Sequence, residues 1–227
     1  MAELPTGTVT FLYTEIEDTA MAVDVRAADL KMVGADGLEI DLGPLQGLWT
    51  EAQYLALTDH TNRLIEFTDG VIEVLPMPTD NHQVILLFLY RALFGFIQPR
   101  GGTVLVAPLR LHIRARKYRE PDLLLVRDAH DPRRRNRFWY GADLVVEIVS
   151  AEDERNRERD INDMPADYAE AGVPEYWIVD PEEGQITVLT LAGNAYVEHG
   201  RFQRGAQATS VLLTGFAVDV NAVLDAE

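Results

Sequence analysis

The chain has 227 residues, 47% hydrophobic and 25% charged, which suits one globular domain with a sizeable core and a modest appendage. It holds no cysteine, which excludes a disulfide framework, a thiolate zinc site and a cysteine nucleophile, and a net charge of −17 argues against a general polyanion binder. No apolar run approaches the roughly 20 residues that span a bilayer, and MAELPTGTVTF lacks the basic-then-apolar pattern of a secretory signal, so a soluble, cytoplasmic protein without a membrane partner is expected.

Residues 1–45 contain one short apolar run, TVTFLY, then acidic, glycine-containing sequence without strong periodicity; they read as an N-terminal extension to a domain over 46–227. TEAQYLAL predicts a short helix capped by Thr50. RLIEFTDGVIEVLP predicts two strands around Asp69-Gly70, a hairpin signal. VILLFLYRALFGFI is long enough for a core helix, with Asp80 or Asn81 as its cap. TVLVAPLRLHIRAR, PDLLLVRD and DLVVEIVS favour strands. The polar stretch AEDERNRERDINDM runs into Pro165, so a helix there must bend, stop or restart. ADYAEAG is a second helical piece ended by Gly172, and strands EYWIVD and ITVLTL flank the turn PEEG. The pattern is α/β, with a mixed central sheet flanked by helices.

Two features point to chemistry. DLVVEIVS reads as a strand buried on both faces, yet Glu147 sits in its middle, and burying an unpaired carboxylate costs several kcal/mol. Asp122 opens PDLLLV, and if the two strands are neighbours their acids meet at one end of the sheet. Two such carboxylates suit magnesium or manganese, which would neutralise Glu147 and lower the pKa of a bound water enough to attack a phosphodiester. The competing reading pairs each acid with an arginine such as Arg119 or Arg127. The second feature is basic: between Arg100 and Arg137 stand eleven Lys/Arg against four acids. Within it, Arg133, Arg134, Arg135 and Arg137 are candidates for contacting DNA. The alternative is a loop whose arginines pair with the protein's own surplus acids.

The segments EFTDGVIEVLPMPTDNHQ, EPDLLLV, DLVVEIVS and DYAEAGVPEYWIVDP, in this order and spacing, resemble the Uma-two family of endonucleases in the PD-(D/E)xK superfamily, from about Leu48 to the C-terminus. The resemblance implies a restriction-endonuclease-like fold and descent from magnesium-dependent DNA endonucleases. It makes Pro121-Asp122 the PD and Glu147 the acid of the metal motif, with the backbone carbonyl of Ile148 as third ligand. It also assigns Glu66 to the metal, directly or through water, and His82 to phosphate or to an oriented water. The partners expected are DNA and, as an option, a second copy of the chain.

One expected residue is missing. The family's lysine would fall at Val149 or at Met164, and neither can carry charge. Three readings follow: Arg155, Arg157, Arg159 or Lys117 substitutes; the metal acts alone and slowly; or the domain is a non-catalytic nucleic-acid-binding or interaction module. A distant alternative comes from LPTGTVTFLYTEIEDTA, which resembles the first strand of class III nucleotide cyclases, with Glu15 as a metal-binding acid and Asp69 on the hairpin as a superficial second. The intervening AADLKMVGADGLEIDLGPLQG is too rich in glycine for the helix a cyclase would need there.

Overall fold

The computed structural model describes residues 24–26, 31–33, 39–61, 63–149 and 159–227. Strands β1 (Asp24–Arg26), β2 (Lys31–Val33) and β3 (Glu39–Asp41) form a small antiparallel meander. None of the three is visible in the sequence, because runs of three residues are too short to show alternation. The apolar run 8–13 and Glu15 lie outside the described residues.

Helix α1 (Glu51–Thr58) starts where its cap predicts. Thr50 Oγ1 accepts from the Gln53 N–H at 3.3 Å and Gln53 Oε1 accepts from the Thr50 N–H at 2.9 Å, a reciprocal box. Strands β4 (Ile65–Thr68) and β5 (Val71–Val74) pair around Asp69 and Gly70, whose φ values of 49° and 98° suit a two-residue hairpin loop. Helix α2 (Asp80–Ile97) is capped one residue earlier than expected. Thr79 has the extended backbone a cap needs and accepts from the His82 N–H at 3.2 Å, which leaves Asp80 in the first turn near the positive end of the helix dipole.

The strands β6 (Thr103–Val106), β7 (Arg110–Arg114), β8 (Lys117–Arg119), β9 (Leu123–Val126), β10 (Phe138–Trp139) and β11 (Leu144–Ile148) follow. Helix α3 (Met164–Glu170) leads to β12 (Glu175–Asp180), β13 (Gln185–Ala192), β14 (Ala195–Gln203), β15 (Gln207–Thr209), β16 (Ala217–Asp219) and α4 (Val220–Leu224). The main sheet has the order β14-β13-β12-β11-β9-β6. It is mixed: β11 and β12 run parallel, joined by a connection that contains α3, and the other pairs are antiparallel. A second sheet, β10-β7-β8-β4-β5, carries the hairpin. Among the described residues no helix is long and apolar enough to cross a membrane.

Two buried clusters cover the faces of the main sheet. Leu123, Leu125, Leu144, Val146 and Ile148 pack with Ile85, Leu89 and Leu93 of α2. On the opposite face Leu124, Val126, Val145 and Val149 pack with Met164 and Tyr168 of α3 and with Leu111 and Ile113 of β7. Burial on both faces explains why β9 and β11 read as continuous apolar runs.

One buried acid ties residues 210–212 to the main sheet. Glu175 is fully buried; its Oε1 accepts from Trp177 Nε1 at 2.8 Å and Ser210 Oγ at 2.6 Å, and its Oε2 accepts from the N–H groups of Val211 and Leu212, both at 2.8 Å. Glu175→Ala strands these donors in the core, so the expected loss in urea denaturation is about 3–5 kcal/mol. A loss below about 1 kcal/mol would show that the carboxylate does not tie this segment down.

Candidate active site

The main sheet brings the two predicted acids together through its register. Val146 of β11 stands opposite Leu123 of β9, and one further step of the same antiparallel register sets Asp122 opposite Glu147. Residues opposite each other in such a pair project to the same face. The Asp122 N–H donates to Glu147 Oε2 at 3.2 Å, and the Ile148 N–H donates to Asp122 Oδ2 at 2.7 Å. Each acid is thus hooked onto the other's strand end. Arg119 and Arg127, weighed as partners for these acids, pair elsewhere, with Asp167 and Asp143 respectively.

Other elements fix each carboxylate further. Tyr168 of α3 is fully buried, and its hydroxyl donates to Glu147 Oε1. Burial, and then the Glu147 charge, push the Tyr168 phenol well above its ordinary range, so it remains a donor. His82, in the first turn of α2, places Nε2 3.1 Å from Asp122 Oδ2. Asp122 Oδ1 has no hydrogen-bond partner among the described residues.

Glu66 of β4 is 2% exposed, and its Oε1 accepts from the Glu120 N–H at 3.2 Å. Its Oε2 lies 3.6 Å from Arg119 Nη1 and 3.6 Å from Arg159 Nη1. Arg119 Nε in turn donates to Asp167 Oδ2 at 2.8 Å. Desolvation opposes the Arg119 charge, but Glu66 and Asp167 outweigh it and raise its pKa. Glu120 is a site residue that the sequence reading missed, since it counts there only as an acid within a basic block. Burial first, and the Glu66 charge second, push its carboxyl up to about 8. The signal that could have flagged it is its place two residues before Asp122.

The two positions expected for a lysine are both core. Val149 and Met164 are 3% and 1% exposed and belong to the same buried cluster as Tyr168. Lys117 pairs with Asp167 and lies 3.5 Å from Glu170. Of the arginines considered as substitutes, Arg155 and Arg157 lie outside the described residues, while Arg159 lines the same cleft as Asp122 and Glu147. Residues 159–163 wind as one wide π-helical turn ahead of α3. Pro165 is the cause, because it has no N–H for the i→i−4 bond that a continuous α-helix would require.

Glu66, His82, Glu120, Asp122, Glu147 and Arg159 line a cleft of about 290 Å³ together with the apolar Pro76, Met77, Pro78, Leu87, Val106 and Pro108. The site fits a hard divalent ion in donor type, with Asp122 Oδ1 lacking a protein donor and Glu147 a strand residue away from the Ile148 main chain. It is a two-carboxylate site. Among the described residues no group of three or more acid or histidine side chains is placed to hold an ion.

The basic block is spent largely on the protein itself. Arg133 pairs with Asp131 and Asp143, and its Nη1 donates to the Ala142 carbonyl. Arg134 donates to Ala129 O and lies over the Trp139 ring at 5.2 Å. Arg137 and Arg110 share Asp59. Among the described residues Arg135 donates to the carbonyl of Arg134 and to no acid. Asp69, the acid a cyclase site would want on the hairpin, pairs with Arg114 at 2.8 Å.

A mixed sheet flanked by helices, with Asp122 just ahead of β9 and Glu147 within β11, defines the α/β class of the chain. Residues 51–221 match the family Uma2, described as "Putative restriction endonuclease", and the chain belongs to that family. A crystal structure from Anabaena variabilis, described as "a putative nuclease belonging to DUF820", is similar at a TM-score of 0.58 and 17% identity, over 71% of this chain and 89% of that one. At this identity the likeness concerns the fold. Among curated proteins nothing matches.

If Arg133 clamps its loop, Arg133→Ala should cost about 1–3 kcal/mol of stability, while Arg135→Ala should leave the melting temperature unchanged. Thermal denaturation of the two variants separates a structural arginine from a free one. Equal melting temperatures would refute the clamp.

Proposed function

We propose that the protein is a magnesium- or manganese-dependent DNA endonuclease, with Asp122, Glu147 and the main-chain carbonyl of Ile148 as the metal ligands. The observation that carries this reading is the antiparallel register that sets Asp122 opposite Glu147 at the cleft. Membership of a family described as restriction endonucleases supports it. A divalent ion bound there would lower the pKa of a water molecule and offset charge on the scissile phosphate. Residues 46–227 would form the nuclease unit and residues 1–45 an appendage, joined where Leu42 enters the core around Tyr54 and Phe67.

The chain's own groups have distinct tasks in this proposal. Tyr168 and the Asp122 N–H fix the Glu147 carboxylate, so that its oxygens need no reorganisation when the substrate arrives. The Ile148 N–H and His82 orient Asp122 and leave its Oδ1 facing the ligand position. Arg159 supplies the positive charge that the family takes from lysine. A guanidinium is a poor proton acceptor, so this arginine would stabilise charge without serving as a base. Glu66 is set between Arg119 and Arg159 and positions the latter.

A second reading, a nucleic-acid-binding module without turnover, is favoured by one observation: the two lysine positions, Val149 and Met164, are both apolar core. Two experiments divide the readings. Millimolar manganese should raise the melting temperature by binding the folded state, and Asp122→Ala and Glu147→Ala should abolish both that rise and cleavage of plasmid or single-stranded DNA. An unchanged melting curve in manganese would count against the metal site in either reading.

Met164→Lys tests the missing charge. Met164 and Tyr168 are four residues apart on one helical face, and Tyr168 already reaches Glu147, so a lysine at 164 projects toward the same carboxylate. Met164→Lys, alone and with Pro165→Ala, should raise manganese-dependent cleavage at least about tenfold, or about 1.4 kcal/mol of transition-state stabilisation. The melting temperature should fall, because the ammonium enters a buried cluster. A folded, metal-binding double variant that cleaves nothing would favour the module without turnover.

A further inference from the structure

We infer that the substrate strand is unpaired: it lays one base on the apolar part of the cleft and then crosses Pro108 to a second subsite, where Arg110 and Arg137 hold the neighbouring phosphate. The inference deepens the nuclease reading by naming the form of nucleic acid, and it rests on that reading.

Three observations carry it. First, much of the cleft that Asp122 and Glu147 line is apolar. Met77 is 63% exposed and Leu87 50% exposed, and both line the cleft beside Pro78 and Pro108. A duplex presents its sugar–phosphate edge and buries its bases in the stack, so it has nothing apolar to place there. An unpaired base has a free π-face, and apolar surface beside a phosphate site is how single strands are held without sequence readout.

Second, the cleft continues. A shallower groove bounded by Asp59, Arg110, Asn136 and Arg137 shares Val106 and Pro108 with it, so the two are separated only by that ridge. In the groove one carboxylate serves two guanidiniums: Asp59 lies 3.0 Å from Arg110 Nη2 and 3.2 Å from Arg137 Nε. One positive charge is left over, and Arg137 remains 44% exposed at its side chain. The Arg110 side chain, 10% exposed, is fixed besides by Thr58 Oγ1, so the groove is braced in advance of any ligand.

Third, part of the described basic block is committed to the protein's own acids. The net charge is −17, and Arg114, Arg119 and Arg133 are tied to Asp69, Asp167 and Asp131. Duplex binding draws its affinity from many phosphate contacts along two rails. A single strand needs a phosphate at the carboxylates, a base on the apolar part of the cleft and one more phosphate at the groove.

The test uses the full-length protein and a fluorescein-labelled oligonucleotide of about 20 nucleotides, single-stranded or annealed to its complement. Binding is read by anisotropy in calcium, a hard oxygen-seeking ion, and cleavage in manganese. The single strand should bind at least about tenfold tighter than the duplex. Arg137→Ala should weaken single-strand binding about fivefold and reduce its salt slope by about 0.7, while Arg137→Lys should keep the slope. The pair Met77→Ser and Leu87→Ser should weaken binding about fivefold with the salt slope unchanged. Equal or tighter duplex binding, binding of neither form, or an Arg137→Ala effect confined to the melting temperature would overturn the inference. Single-strand preference without cleavage would sink the nuclease reading alone, and cleavage with no preference for the single strand would sink this inference alone.

Discussion

The carboxylate of Glu147 is the constraint around which the rest of the molecule is arranged. It stands in a strand with apolar residues on both faces, where a charge without donors would cost several kcal/mol. Its oxygens are met by a phenol from α3 and by the backbone at Asp122, so the helix and the neighbouring strand are both committed to the same point. The hydrophobic clusters on the two faces then hold these elements in place. The candidate site and a folding requirement coincide here, because satisfying the buried acid also brings Asp122, Glu147 and Tyr168 together.

Around that point the charges alternate in sign. Glu66 stands against Arg119 and Arg159, Arg119 against Asp167, and Asp167 against Lys117. Such a chain of buried pairs is costly to desolvate and stays folded only because nearly every member has a partner on each side. It also explains how an acidic protein carries so basic a stretch of sequence. Many of those arginines are counterions to the protein's own acids, Arg119 to Asp167, Arg133 to Asp131 and Asp143, and Arg110 to Asp59.

Much of this was legible in the sequence where a local rule has a local cause. Thr50 with Gln53 gives a cap, Asp69-Gly70 a hairpin, and Gly172 at φ 70° a helix end. The meeting of Asp122 with Glu147 was half readable: an isolated acid in an apolar strand demands a partner, but the residues left an arginine such as Arg119 or Arg127 open in that place. What was not readable depends on distance in the chain. Nothing in the residues near Tyr168 says that its hydroxyl meets Glu147, 21 positions away. Nor does the run of arginines say which of them face Asp131, Asp143 or Asp59. The strands after Ala192 escaped for another reason: β14 is an edge strand with mostly exposed residues and lacks an apolar signature.

The wide turn over residues 159–163 has a consequence for how such a site changes over generations. A π turn accommodates one more residue than an α turn, and one residue rotates everything upstream by about 100° around the helix axis. Side chains before Pro165 therefore face directions that an uninterrupted helix would not give them, while Tyr168 downstream keeps its aim. A single proline can in this way decouple two ends of one helix. The end that braces the buried acid is fixed by the Tyr168 hydroxyl, whereas a substitution at the other end would change the side chain presented to the cleft without moving that brace.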